Sequence, residues 1–100
     1  MLKEKKNYPR LTKKIFPYNF YLAYWIDTNS NSSWESLEII KNSKPSVCVT
    51  AGWLISKKNN CYRFVADISF DENNKAISDC ANSTTIPTHN IIKLIKIKGL

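Results

Sequence analysis

Nucleophilic catalysis needs a serine or thiol beside a base, and this chain has one histidine, His89, to serve three cysteines, Cys48, Cys61 and Cys80. His89 stands in the turn segment Pro87-Thr88-His89-Asn90, where a solvated or capping role is expected of it rather than catalysis. The cysteines are odd in number and widely spaced, with no pair at metal-knuckle distance. They are read as small apolar residues in or near a core, and no metal site is expected. Glu35 and Glu38 are one helical turn apart, but glutamates at a helix start serve the cap and the dipole. Asp71-Glu72 falls in a turn, where acidic residues are ordinary. The only glycines are Gly52 and Gly99, so no glycine-rich loop can cradle a phosphate. The residues thus argue against an enzyme and call for no cofactor.

What remains in surplus is aromatic: twelve Phe, Tyr and Trp among 100 residues. Trp25, Trp34 and Trp53 are expected mainly as core anchors. Twelve rings still exceed what short strands must bury, so some should face a groove or a subunit interface. The first strand, apolar on both faces, is the expected place.

The elements that must position these rings follow from pattern. Tyr18–Asp27 is dense in β-favouring residues and reads as strand one. A polar turn follows, and Ser32 with Glu35 has the spacing of a capping box. The spacing predicts a short helix carrying Trp34, Leu37 and Ile40 on one side, stopped before Pro45. Val47–Ile55 reads as strand two, with Gly52 marking a bulge or bend. Lys57-Lys58-Asn59-Asn60 is a hairpin turn, and Cys61–Phe70 alternates as strand three. Strand four is expected over Ala76–Ile86, one turn of 3₁₀ helix over Pro87–Asn90, and strand five over Ile91–Ile97. Five short strands survive best by curling, because closure removes edges. The expected fold is therefore mainly β: a small five-stranded SH3-like or Sm-like barrel with one short α-helix between strands one and two.

The net charge is +7, but it is unevenly placed. Residues 1–16 carry net +5, the final stretch adds three lysines, and residues 17–92 sum to −1. Residues 1–16 are expected to be a basic, loosely ordered extension and residues 17–100 the domain. Lysine outnumbers arginine thirteen to two, asparagine is abundant and glutamine absent, the profile of an AT-rich coding sequence. Arginine is the better phosphate fork, so the charge carries only part of the weight that +7 suggests. No apolar run approaches the roughly 20 residues of a membrane span. No secretory signal is read at the N-terminus either, and a cytoplasmic protein is expected.

Tyr24-Trp25-Ile26-Asp27, Trp34-Glu35-Ser36-Leu37-Glu38, Cys48 through Ser56, and Ile86-Pro87 with Ile91, Ile92 and Ile95 together span most of residues 21–98. In order and spacing they resemble a family of small bacteriophage and prophage proteins. The resemblance implies a phage or mobile-element origin, the cytoplasm of a bacterial host, and a compact β-domain; it supplies no catalytic residues. Two departures are the lysine-rich residues 1–16 and Thr88-His89-Asn90, which replaces a turn more usually containing Gly and Cys.

The leading functional expectation is a non-enzymatic binding protein for nucleic acid or a nucleotide, in one form sequestering a signal of host immunity as an anti-defence oligomer. Tyr21, Tyr24, Trp25, Trp53 and Arg63 are the candidate ligand contacts, and Lys5, Lys6, Arg10, Lys13, Lys14, Lys93 and Lys96 the candidate phosphate contacts. The alternatives are a module that inhibits or recruits a host protein, or a phage structural component. A homo-oligomer without membrane association is expected in each case.

Overall fold

In the computed structural model, which describes residues 7–99, the chain forms five antiparallel strands and one short helix. They are β1 (Phe20–Asp27), α1 (Leu37–Lys41), β2 (Ser46–Ser56), β3 (Cys61–Phe70), β4 (Ile77–Pro87) and β5 (Ile91–Ile97). A 3₁₀ turn, Thr88–Asn90, joins the last two. All five strands lie in one sheet of order β4-β3-β2-β1-β5.

That order forces the sheet to roll. β4 and β5 occupy opposite edges, about 19 Å apart across four strand spacings in a flat sheet. Yet the chain from Pro87 to Ile91 can span at most about 14 Å. The two edges must therefore approach each other at the turn. Thr88 N–H donates to Asn60 O (2.9 Å) and the Asn90 side chain to Ile26 O (2.8 Å), tying this turn to the β2–β3 hairpin and the end of β1. Among the described residues the edges themselves do not pair, so the sheet is curled and unclosed.

β2 is shared between two hairpins. Its first half, Ser46 to Gly52, pairs with β1, whereas β3 joins only from Trp53 onward, opposite Val65. Gly52 sits at the divergence. A Cβ there would stand 2.7 Å from the Val65 carbonyl oxygen, so only glycine lets β3 approach. Asn59 and Asn60 both take positive φ (56° and 59°), the backbone of the two-residue hairpin turn that suits strand twist. At the other hairpin tip the Asp71 carboxylate accepts from the N–H groups of Lys75 (2.9 Å) and Ala76 (3.4 Å).

The core is small. Ala23, Phe64 and Ile86 are buried together on the concave face, with Tyr21, Trp25, Leu54, Tyr62, Ile91 and Leu94 packed around them. The outer face has its own aromatic cluster. Trp53 meets Phe20 (4.9 Å between ring centroids) and Phe16 (5.8 Å), each edge-on, and Phe16 meets Tyr18 at 4.8 Å. Phe16 is buried there, so the folded unit reaches back past Pro17. The chain between Thr12 and Phe16 makes a hydrogen-bonded turn, and the Lys13 ammonium donates to Tyr18 O and Asn19 Oδ1. Lys5 and Lys6 lie outside the described residues.

The helix differs from its expectation. It has five residues, and its cap is Ser36, whose hydroxyl accepts from Ile39 N–H at 3.2 Å. Ser32 and Glu35 precede it and form no capping box. The Asn31 side chain accepts from Ser33 N–H at 2.9 Å, which holds that stretch in a turn instead. Trp34 is consequently off the helix and fully exposed rather than in the core. Of the cysteines, Cys48 and Cys61 are half-buried, but Cys80 is exposed on β4.

Candidate binding surface

Side chains alternate across the sheet, and the ladder register assigns each one to a face. Tyr21, Ala23 and Trp25 point to the concave side with Thr50 and Gly52. Phe20, Leu22, Tyr24 and Ile26 point outward with Trp53, Ala51, Val49 and Val47. The ligand contacts expected from sequence are thus divided: Tyr21 and Trp25 lie inside the curl, Tyr24 and Trp53 outside it. Trp25 is further fixed by its indole N–H, which donates to Thr50 Oγ1 at 3.0 Å. Trp53 is boxed by Phe16 and Phe20. Arg63 donates to Lys58 O (3.0 Å) and Ser56 Oγ (3.4 Å), so its guanidinium braces the hairpin.

The expected phosphate contacts are divided as well. Lys93 stands opposite Tyr24 on the outer face, and Lys96 opposite Tyr21 on the inner one. Arg10 lies 6.0 Å over the Tyr8 ring, Lys13 is engaged with Tyr18 and Asn19, and Lys14 is exposed. Tyr24 with Lys93 and Tyr21 with Lys96 each bring a ring and a cation to one register position, but on opposite faces of the sheet.

A different surface stands out. Trp34, Leu37, Ile39, Ile40, Val47 and Val49 are all exposed, and Ile26 is partly so. Every one belongs to the β1–α1–β2 arm, residues 26–49. Val47 is opposite Ile26 and Val49 opposite Tyr24, so the outer face of the two strands carries an apolar stripe, with Trp34, Leu37, Ile39 and Ile40 exposed on the connection between them. The arm holds Asp27, Glu35 and Glu38 against Lys41 and Lys44 and is nearly neutral. Lone exposed apolar residues are ordinary, but a contiguous set flanked by polar ones marks an interaction site. Between the helix and the preceding loop lies an open depression of about 700 Å³, bordered by Asn29, Asn31, Glu38, Ile39 and Asn42.

The sequence reading put Trp34 on the helix and expected it as a core anchor, and so missed this patch. One signal was present: Leu37, Ile39 and Ile40 within a single turn cannot share one face, so part of them must turn outward whichever side packs.

Among the described residues no three His, Cys, Asp or Glu side chains come together as a metal site would require. No helix among them is long and apolar enough to cross a membrane. Comparison with protein-family models, curated proteins and solved structures finds no match to this chain.

Proposed function

We propose that the chain is a non-enzymatic, phage-type binding protein of the bacterial cytoplasm whose working surface is the apolar arm and whose main partner is a protein. The observation that carries this reading is the exposure of Trp34 beside Leu37, Ile39 and Ile40 on a nearly neutral arm. Apolar anchors around a Trp are the composition of protein interfaces, which are depleted in lysine and acidic residues at their centres. A nucleic-acid platform needs cations and rings on one face, and the basic residues here are spread over both faces and the N-terminal segment. The fold is read as an open relative of the SH3-like and Sm-like barrels. The strand order, the bent β2 and the 3₁₀ turn between β4 and β5 support that reading, and the phage origin rests on the resemblance of the quoted segments.

The test is the salt response of the complex the protein forms in cells. An apolar complex should survive a rise from about 50 to 200 mM salt, whereas a phosphate-driven one loses orders of magnitude in affinity over that range. Binding that collapses with salt would refute the protein-docking reading. It would favour the second one, nucleic-acid or nucleotide binding with sequestration of a host signal, for which Tyr24 beside Lys93 is the support.

A further inference from the structure

Among the described residues the sheet has several open edges, and all but one are protected. β5 carries Lys93 and Lys96, with Lys98 just beyond it. β4 carries Asp79, ends at Pro87 and is interrupted at Asn82, whose φ is 57°. The free half of β3 holds Asp67 and Ser69 and leads into Asp71. Charge, proline and irregular backbone are the devices by which edge strands avoid pairing with other chains.

The first half of β2 has none of them. Ser46-Val47-Cys48-Val49-Thr50-Ala51 is uncharged and rich in β-branched residues, with proline only before it at Pro45 and glycine only after it at Gly52. Among the described residues its one ladder is with β1; β3 has already diverged, and no backbone hydrogen bond from the loops reaches it. Val47 and Val49 project from it at 64% and 52% exposure.

We infer that this edge is paired, antiparallel and about a twofold axis, with the same edge of a second copy of the chain. Two observations favour a second copy as occupant. The segment is self-complementary: a twofold through Cys48 sets Val47 opposite the partner's Val49 and Ser46 opposite the partner's Thr50. Apolar then meets apolar on the outer face, and hydroxyl meets hydroxyl on the inner. Charge permits it, because the +7 resides mainly at the chain ends while the arm is nearly neutral. The pairing rests on the reading of the arm as a binding surface, and it leaves α1 and Trp34 free for the other partner.

The experiment is sedimentation of the full chain together with thiol cross-linking. The wild type should run at twice 11.6 kDa. Val49→Lys, which places a charge at the exposed edge, should run at the monomer mass with its β circular dichroism unchanged. In a Cys61→Ser/Cys80→Ser background a short bis-thiol cross-linker should join Cys48 to the partner's Cys48 in near-full yield. A chain retaining only Cys80 should not link. A monomeric wild type, or a dimer in which Cys48 fails to link, overturns the inference; so does a folded Val49→Lys that stays dimeric. If Val49→Lys loses its β signal, the Cys48 cross-link decides. Native mass reads this pairing alone, while partner capture by Trp34 variants reads the docking reading alone, so the two fail separately.

Discussion

Substituting Gly52 by alanine should destabilise the protein clearly, although alanine is the gentlest possible change. The added methyl would lie 2.7 Å from Val65 O, 3.2 Å from the Val65 carbonyl carbon and 3.4 Å from Phe64 Cβ. The first two are backbone atoms on the rung where β2 and β3 begin to pair, so no side chain can swing aside. Relief requires β3 to retreat by several tenths of an ångström, which loosens the Trp53–Val65 rung and the packing of Phe64. Overpacking of this kind costs about 1–3 kcal/mol. Replacing glycine returns about 0.4–1 kcal/mol by restricting the unfolded chain. The net expectation is a loss of about 1–2 kcal/mol, which for a domain of this size lowers Tm by roughly 5–15 °C. Urea denaturation and thermal melting, each followed by circular dichroism, measure it. A Gly52→Ala protein as stable as the wild type, or more so, would show that β2 and β3 do not approach as described.

Other expectations are simpler. Phe64→Ala removes the largest fully buried side chain and should cost about 3–5 kcal/mol, enough to unfold much of the protein in a urea titration. Trp25→Phe keeps the ring but removes the donor to Thr50 Oγ1; a loss of about 0.5–1.5 kcal/mol is expected in the same titration. At the β3–β4 tip, the N–H of Lys75 above all, with those of Ala76, Asn73 and Asn74, holds the Asp71 carboxyl below its ordinary 3.8 against slight desolvation. A depressed carboxyl stabilises fully above its unfolded value and loses that contribution as pH falls through the folded one. The protection of the Asn74–Ala76 amides, exchange measured relative to the intrinsic rate at each pH, should therefore fall below about pH 4, and Asp71→Asn should abolish that fall.

Much of the fold was legible because its punctuation is strong. β3 runs over Cys61–Phe70, as its alternation between two asparagine-bearing turns indicates, and β5 over Ile91–Ile97. The 3₁₀ turn lies within the Pro87–Asn90 segment where it was expected. β1, β2 and β4 are shifted by one or two residues at their ends, where ladders fray. The helix start was misread because Ser32 and Ser36 both offer capping spacing. Local sequence could not show that Asn31 already engages the chain near Ser32, leaving Ser36 as the cap.

The site was far less legible. Counting rings indicated that some lie outside a core, but which ones depends on contacts the sequence does not display: Phe16 and Phe20 cover Trp53, while the Asn31 turn and the Ser36 cap leave Trp34 off the helix. Strand one was expected to bear the exposed rings. Instead Phe20 is packed on Trp53 and Trp25 is bound to Thr50, while the bare rings are Trp34 and Tyr8, both outside any element. The lysines were read as one electrostatic set; register shows that Lys93 and Lys96 face opposite sides.

Binding by the arm, rather than by the basic residues, is read out by quantitative capture from a bacterial lysate with three proteins: wild type, Trp34→Ala/Ile40→Asp, and Lys93→Ala/Lys96→Ala, with bound protein and nucleotide both assayed by mass spectrometry. Both pairs are surface substitutions and should leave stability within about 0.5 kcal/mol. The arm variant should lose a protein partner at least tenfold while the lysine variant retains it. Retention by the arm variant, with loss of a nucleotide or nucleic acid from the lysine variant, would contradict it.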